Sequence, residues 1–427
     1  MNTVKITKQK KVSSSTMYNV LYILPLAMIL YAFLTTPIRE LIRGLGVIYK
    51  SNDVLLTDYL LIAGVGPTLI NGAIVLLINL WLIRKLDLKP NGIIIAALFL
   101  MTGFSFMGKN IFNIWPFYLG GYIYSKYHGI SYKNVVIINM FSTTFSPLAS
   151  VIAENMQTNM IGGIIIMALV GGFLGFIMPT VSSTIVTFHS GYNLYNMGVA
   201  AGFVGMLVYA LMEQTEIVIE SNSILLQTNN VMLVCFFSIY CIALIALGYR
   251  INGRSFRGYG NLLKHSGRLV TDMIKQDGFG LSLVNMGVLG LLSILFILLV
   301  GGVFNGPTIA AMMAVMGFGS FGKHPRNVWP IVFGVVLGWK LFGIETSVSI
   351  FIISALFGTT LAPIAGEYGV LWGVLAGVLH AAFIQNVGIL HGGLVLYNNG
   401  LSGGIIAAVL IPIIDAFKKE NRCETRS

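Results

Sequence analysis

Long apolar runs constrain this chain more than any other feature. Stretches of apolar residues recur from Met17 to Phe417, and many approach the roughly 20 residues that a helix needs to cross the hydrocarbon core of a bilayer. Only 10% of the 427 residues are charged, whereas soluble domains carry about 25%. The polar remainder is too small to form a soluble domain. The sequence therefore predicts an all-α integral membrane protein whose main surroundings are the lipid bilayer.

The first run, residues 17–36, follows a lysine-rich tail that superficially resembles a secretory signal. The run is too long for a signal, and no small-residue cleavage site follows it, so we expect a retained first spanning helix. The net charge of +11 comes largely from loop ends, chiefly residues 249–275 and the tail after Phe417. This pattern is typical of cytoplasmic loops rather than of nucleic-acid binding. The three cysteines form no disulfide or metal framework, and we predict no metal site and no cofactor.

A tandem duplication is the strongest internal signal. The stretch GKNIFNIWP at 108–116 recurs as GKHPRNVWP at 322–330, and 15 of 39 positions are identical between residues 91–129 and 305–343 at an offset of 214. Two further motifs recur downstream: FSTTFSPLA (141–149) as FGTTLAPIA (357–365), and HSGYNLYNMG (189–198) as HGGLVLYNNG (391–400). Apolar bias alone does not align Lys, Asn, Trp and Pro. The chain is therefore read as two copies of one unit.

About fourteen apolar segments predict twelve to fourteen transmembrane helices with both termini cytoplasmic. The predicted organisation is a cytoplasmic tail (1–16), a first membrane repeat (17–213), an external connector (214–229), a second membrane repeat (230–417) containing the basic cytoplasmic loop 249–275, and a cytoplasmic tail (418–427). Seven crossings separate each segment from its counterpart, so the two copies are expected to be inverted, as in many secondary transporters. Arg39, Arg43 and Lys50 are exceptions to the charge rule in this scheme. If a segment is re-entrant rather than spanning, the parity fails.

The repeated GK…NxWP motif contains the first candidate substrate-binding residues, Lys109 and Asn113 with Lys323 and Asn327. A helix beginning near Asn113, with Pro116 in its first turn, would direct its N–H groups towards Lys109, which suits an anionic or electron-rich group. The alternative is a surface loop whose lysine reaches the lipid headgroups and whose tryptophan lies in the aromatic belt.

Two more duplicated motifs supply the remaining candidates for substrate binding. In TTxxP, a proline frees backbone carbonyls and threonine hydroxyls face a ligand or restore the kinked helix. In HxG…LYNxG, neutral donors and acceptors suit a polar solute, or they form an interfacial turn. The candidates from these motifs are Thr143, Thr144, Thr359, Thr360, His189, Asn196, His391 and Asn398.

Carboxylates near the bilayer are few, and Glu154 and Glu367 each lie beyond a TTxxP motif. An intramembrane carboxylate is a candidate for ion coupling, although both residues are equally explained as loop ends. We identify no catalytic residues: the chain has no Walker A sequence, and GLSGG at 400–404 lacks both the preceding strand and a serine in its repeat counterpart. We therefore expect a protein that is not an enzyme.

The duplicated motifs resemble those of an uncharacterised family of bacterial multi-pass membrane proteins, a domain of unknown function, over about residues 17–417. The seven-plus-seven pattern is also similar, at the level of fold, to inverted-repeat transporters of nucleobases and anions. The leading hypothesis is a secondary transporter of a small polar or anionic solute across the plasma membrane, with its site between the repeats. A passive channel and a non-transporting sensor or assembly factor are the alternatives, and a homo-oligomer is compatible with each.

Overall fold

The computed structural model describes residues 12–51, 53, 56–155, 160–214 and 223–424, except for the side chains of 152–155, 160 and 419–424. In the first repeat the elements are α1 (Ser14–Thr35), α2 (Ile38–Tyr49), β1 (Leu56–Thr57), α3 (Tyr59–Ile62), α4 (Val65–Lys85), α5 (Gly92–Phe104), α6 (Ile111–Tyr127), α7 (Val136–Ser142), α8 (Ser146–Asn155), α9 (Met160–Phe188) and α10 (Asn196–Glu213). β2 (Ser223–Ile224) lies in the connector. In the second repeat the elements are α11 (Val231–Ile251), α12 (Tyr259–Leu262), α13 (Met273–Gln276), α14 (Phe279–Leu299), α15 (Gly306–Phe318), α16 (Pro325–Leu341), α17 (Val348–Gly358), α18 (Ala362–Tyr368), α19 (Val370–Leu390) and α20 (Asn398–Glu424). Short 3₁₀ turns lie at Tyr132–Asn134, Thr143–Phe145 and Thr359–Leu361.

The predicted all-α multi-pass membrane fold is confirmed. Within the described residues, nine helices are long and apolar enough to cross a membrane, and shorter apolar helices accompany them. The only named strands there are β1 and β2, two residues each, which pair in parallel. The last helix continues to Glu424, so it includes most of the tail predicted at 418–427. The location of that tail in the cytoplasm stays a prediction.

The two short helices α5 and α15 form the centre of the molecule. Each has 13 residues, or about 20 Å at 1.5 Å per residue, which is too short to cross the hydrocarbon core alone. A Cβ atom at Gly103 would lie 3.0 Å from the Ala310 Cα, and one at Gly317 would lie 3.2 Å from the Ala96 Cα. The end of each helix therefore packs on the start of the other, and the two helices run antiparallel.

A second reciprocal contact joins α10 to α20. The Gly198 and Gly400 backbones meet so closely that a Cβ on either residue would lie within 2.8 Å of the other's Cα. These glycines are equivalent in the HxG…LYNxG repeat. Reciprocal contacts between equivalent residues are those of two copies related by an approximate two-fold axis.

Two aspartates connect the repeats through helix caps. The Asp58 carboxylate caps α3 and also accepts a hydrogen bond of 3.0 Å from the backbone N–H of Gly306, at the start of α15. Asp272, at an offset of 214, caps α13 and accepts one of 3.2 Å from the N–H of Gly92, at the start of α5. Each repeat therefore stabilises the N-terminus of the other repeat's short helix, where a negative charge is favourable.

Candidate functional site

The repeated GK…NxWP segment is a tight turn followed by a capped helix. Gly108 has φ +76° and Gly322 has φ +121°, in the region that favours glycine. The helix cap is Asn110 in α6 and His324 in α16, whereas Asn113 and Asn327 are the third helical residues and complete capping boxes. The cap of α6 therefore lies three residues before Asn113, near which the sequence predicts the helix to begin.

This displacement changes the chemistry expected of the helix start. Pro116 is the sixth residue of α6 rather than part of its first turn. The backbone N–H groups of Phe112 and Asn113 already donate to the Asn110 side chain. Since these donors are taken, a ligand beside Lys109 would not find them free.

Lys109 and Lys323 are both fully buried, so the headgroup interpretation does not apply to them. The Lys109 Nζ donates to the Thr143 hydroxyl at 2.8 Å and to the Tyr397 hydroxyl at 2.6 Å. The Lys323 Nζ donates to the Thr359 hydroxyl at 2.7 Å and to the Tyr195 hydroxyl at 2.6 Å. Each lysine thus bonds a threonine of its own repeat and a tyrosine of the other.

The aromatic rings around the lysines extend this arrangement. The Lys109 Nζ lies 4.8 Å from the ring centroid of Tyr397, and the Lys323 Nζ lies 4.4 Å from that of Tyr195. Cation–π contacts at such distances stabilise a desolvated ammonium. In the part of the chain that the structure describes, neither lysine has a carboxylate partner.

The TTxxP motifs form the breaks that the sequence predicts. Thr143 and Thr359 each begin a 3₁₀ turn between two helices. The Thr144 carbonyl accepts from the Leu396 N–H at 3.2 Å, and the Thr360 carbonyl accepts from the Leu194 N–H at 3.0 Å. At each helix break, a threonine carbonyl therefore accepts a hydrogen bond from the Leu-Tyr-Asn stretch of the other repeat. These bonds hold each Leu-Tyr-Asn stretch against the TTxxP motif of the opposite repeat.

The histidines of the two repeats differ in their hydrogen bonds. An Nε2–Oδ1 distance of 3.0 Å joins His189 to Asn196, whose amide also donates to the Ser182 carbonyl. In the second repeat, both ring nitrogens of His391 and the Oδ1 of Asn398 have no hydrogen-bond partner within the described residues. His380, which has no histidine counterpart, bonds Asn399 and Ser402, each at 3.0 Å.

The two acidic candidates do not lie with the lysines. Glu367 is exposed near the end of α18. The Glu154 side chain lies outside the described residues, although its backbone belongs to α8. Their role in ion coupling stays a prediction.

A cavity of about 340 Å³ lies between the repeats, and we call it the larger cavity. Tyr195 and Tyr397 line it, and so does Asn196 from the HxG…LYNxG motif. Most of the other lining side chains are apolar, and they include Leu269 and Val270 of the basic loop. Lys109 and Lys323 do not line this cavity themselves. Each bonds a tyrosine that does.

A second cavity of about 200 Å³, the smaller cavity, is the repeat counterpart of the first. Equivalent residues line the two: Ile137 and Ile353, Asn196 and Asn398, Leu194 and Leu396, Val270 and Leu56, Phe321 and Met107, Ile93 and Pro307. Phe104, Phe357, Leu396 and Asn399 line both cavities and so form the wall between them. The Phe104 and Phe357 rings stack in that wall, 5.6 Å apart.

Several buried polar residues of this region were not predicted from the sequence. Asn71 donates to the carbonyls of Ser105 and Lys109, and Asn285 to the equivalent carbonyls of Gly319 and Lys323. Extending the offset of 214 upstream of residue 91 would have revealed this pair and the pair of aspartates at 58 and 272.

The duplication does not point to Asp53, because the residue at its equivalent position in the second repeat is Gly267. Its buried carboxylate accepts from the Tyr59 hydroxyl at 2.5 Å and from the Asn113 amide at 2.9 Å.

Comparison with known proteins identifies the family of this chain. A search of the curated proteins and a search of the solved structures gave no match. A family model described as a protein of unknown function (DUF1576) matches residues 38–214 and 251–416. The two matched segments fall in the two repeats and cover most of the chain, which confirms the expected uncharacterised family. The chain therefore belongs to the DUF1576 family of proteins of unknown function.

Proposed function

We propose that this protein is a secondary transporter of a small organic solute, without enzymatic activity, whose site lies between two inverted repeats. The pair of equivalent cavities carries this proposal. Alternating access requires two routes to one site, and two copies of one unit supply such routes if each route uses equivalent residues. The wall shared by the two cavities is then the barrier that the solute crosses.

The antiparallel packing of α5 on α15 supports inversion of the repeats. If equivalent helices run in opposite directions along the membrane normal, the two-fold axis lies in the membrane plane. The charge pattern agrees, since the basic loop 249–275 would be cytoplasmic by the positive-inside rule. The larger cavity then opens towards the cytoplasm of the cell, and the smaller cavity towards the outside across a plasma membrane.

Ile137 and Ile353 offer a matched test, because they are repeat equivalents and each lines a different cavity. Ile137→Cys and Ile353→Cys are prepared separately after replacement of the native cysteines. A membrane-impermeant maleimide is then added to either face of oriented vesicles. We expect Ile137→Cys to react from the face of the basic loop and Ile353→Cys from the opposite face. Reaction of both from one face would contradict the inverted arrangement.

Flux measurements separate the transporter from a passive channel. Proteoliposomes are loaded with a panel of small organic solutes, and uptake is followed with and without an ion or solute gradient. A secondary transporter gives accumulation that depends on the gradient. Flux that merely equilibrates every solute, with both cysteine positions reactive at once from either face, would show a channel instead.

A further inference from the structure

The larger cavity combines an apolar surface with two lysine amines that are buried next to its tyrosines. Phe104, Phe141, Phe318 and Phe357 contribute aromatic surface. Besides the two tyrosines, the polar lining consists of Asn134, Ser182, Asn196 and Asn399. A sugar or another solute with many hydroxyls would leave most of its polar groups unmatched there, at a considerable desolvation cost. The lining therefore suits a ligand with an apolar body.

Within the described residues, the two buried lysines have no carboxylate partner. Lys109 and Lys323 are fully buried, and their hydrogen-bond acceptors are hydroxyls and, for Lys109, the Met101 sulfur at 3.6 Å. Neutral acceptors only partly offset the cost of burying an ammonium. Within the described part of the chain, no Asp or Glu lines the larger cavity.

The two tyrosines connect this charge to the cavity. Tyr195 and Tyr397 line the cavity and accept hydrogen bonds from the lysines on their hydroxyl oxygens. A hydroxyl that accepts from a cation becomes a stronger donor of its own proton. An acidic group in the cavity would thus accept from two tyrosine hydroxyls, and its negative charge would favour the protonated form of the two lysines that bond them.

We infer that the larger cavity binds a small organic monoanion, a carboxylate attached to an aromatic or branched apolar body. The carboxylate lies towards Tyr195 and Tyr397, and the body packs against the phenylalanines. This inference rests on the proposed function for its role as substrate recognition, but binding itself does not require transport. A cationic or polyhydroxylated ligand is excluded by the same geometry.

The test uses four probes that separate charge from body: benzoate, benzyl alcohol, benzylamine and acetate. Binding to the full-length protein in nanodiscs is measured by calorimetry. We expect benzoate to bind at least about tenfold more tightly than benzylamine or acetate. Equal affinity for benzoate and benzylamine, or no binding of benzoate, would overturn the inference.

The lysines are tested with Lys109→Met and Lys323→Met, singly and together. Methionine keeps the apolar stem and removes a buried charge, a change that proteins often tolerate without loss of stability. The double variant should weaken benzoate binding by at least about tenfold while leaving benzyl alcohol within about threefold. Tyr195→Phe with Tyr397→Phe should weaken benzoate in the same direction, since only the hydroxyls are lost.

The chain provides a matched control in Lys126 and Lys340, a second repeat pair that is exposed at the ends of α6 and α16. Lys126→Met with Lys340→Met should change benzoate binding by no more than about twofold. An equal loss in this control, or unchanged binding in the Lys109/Lys323 double variant, would refute the assignment. Benzoate binding without flux of any carboxylate would reject transport yet retain this site, whereas gradient-driven flux of an amine or sugar would do the reverse.

Discussion

Asp58 and Asp272 each accept a hydrogen bond from the first residue of the opposite repeat's short helix. They are repeat equivalents, but we expect replacement by asparagine to lower the free energy of unfolding by different amounts at the two positions. Both oxygens of Asp58 are used: Oδ1 accepts from the N–H groups of Leu60 and Gly306, and Oδ2 accepts from that of Leu226 at 3.0 Å. In Asp58→Asn, the amide oxygen can serve only one of these two sets. The better choice keeps Leu60 and Gly306 and turns the NH₂ group towards the Leu226 N–H.

Asp272 gathers its backbone donors on one oxygen. Its Oδ1 accepts from the N–H groups of Gly92, Ile274 and Lys275. Its Oδ2 forms an ion pair of 3.8 Å with the Lys275 ammonium, whose side chain is 71% exposed. Asp272→Asn therefore retains every backbone bond and loses one surface ion pair.

The expected losses follow from these bonds. A lost hydrogen bond to a buried charged acceptor costs about 1.5–3 kcal/mol, so Asp58→Asn should lower the free energy of unfolding by that amount. A surface ion pair contributes about 0–1 kcal/mol, so Asp272→Asn should cost no more than about 1 kcal/mol. Burial raises the pKa of Asp58, and measurement at pH 8 favours its ionised form.

Equilibrium unfolding in mixed micelles with increasing dodecyl sulfate, followed by tryptophan fluorescence, measures both variants against the parent protein. Equal losses at the two positions, or a larger loss for Asp272→Asn, would refute this account of the caps. Asp58→Ala serves as the positive control, because it leaves all three buried N–H groups without their acceptor and must be worse than Asp58→Asn.

Two further stability predictions concern Asp53 and Gly103. Burial raises the pKa of Asp53 from 3.8 to about 7, so the folded protein binds this proton more tightly than the unfolded chain does. Stability should fall by about 4 kcal/mol as pH rises from about 4 to 7, and Asp53→Asn should remove this part of the pH profile; an unchanged profile would contradict it. Gly103→Val would crowd Ala310 and should lower the free energy of unfolding by about 1–3 kcal/mol. The control is Gly46→Val in α2, where a Cβ atom meets nothing within 4 Å, and it should change this free energy by no more than about 0.5 kcal/mol. Similar losses in the two variants would refute the close crossing of α5 and α15.

The sequence was sufficient to identify the duplicated polar motifs, because polar residues in an apolar chain are conspicuous when they recur at a constant offset. Lys109 and Thr143 were predicted as separate candidates, and the structure brings them together. The hydrogen bond between them could not be predicted from the sequence. It depends on how the turn at Gly108 and the helix break at TTxxP position the two side chains in the folded protein.

Other features escaped prediction for physical reasons. Asp53 has no repeat counterpart, so the duplication gives it no signal. Tyr195 and Tyr397 were expected at the membrane interface in one interpretation, because tyrosine is common there, but they are 7% and 6% exposed. Each buried lysine bonds a tyrosine of the other repeat. This choice depends on how the two repeats pack against each other, which the spacing of motifs along the sequence does not show.

The reciprocal caps have a consequence for how the protein is made. When the first half enters the membrane during synthesis, the N–H of Gly92 has no Asp272 to accept its hydrogen bond, and Lys109 has no Tyr397. The nascent half therefore holds a helix with one unpaired N–H group and a lysine that lacks one of its partners. These partners lie 180 residues after Gly92 and 288 residues after Lys109, and the chain grows at about 5–20 residues per second. We expect biogenesis to depend on a cellular insertase that shelters this half-finished intermediate, and expression of the first half alone to yield a product that is rapidly degraded.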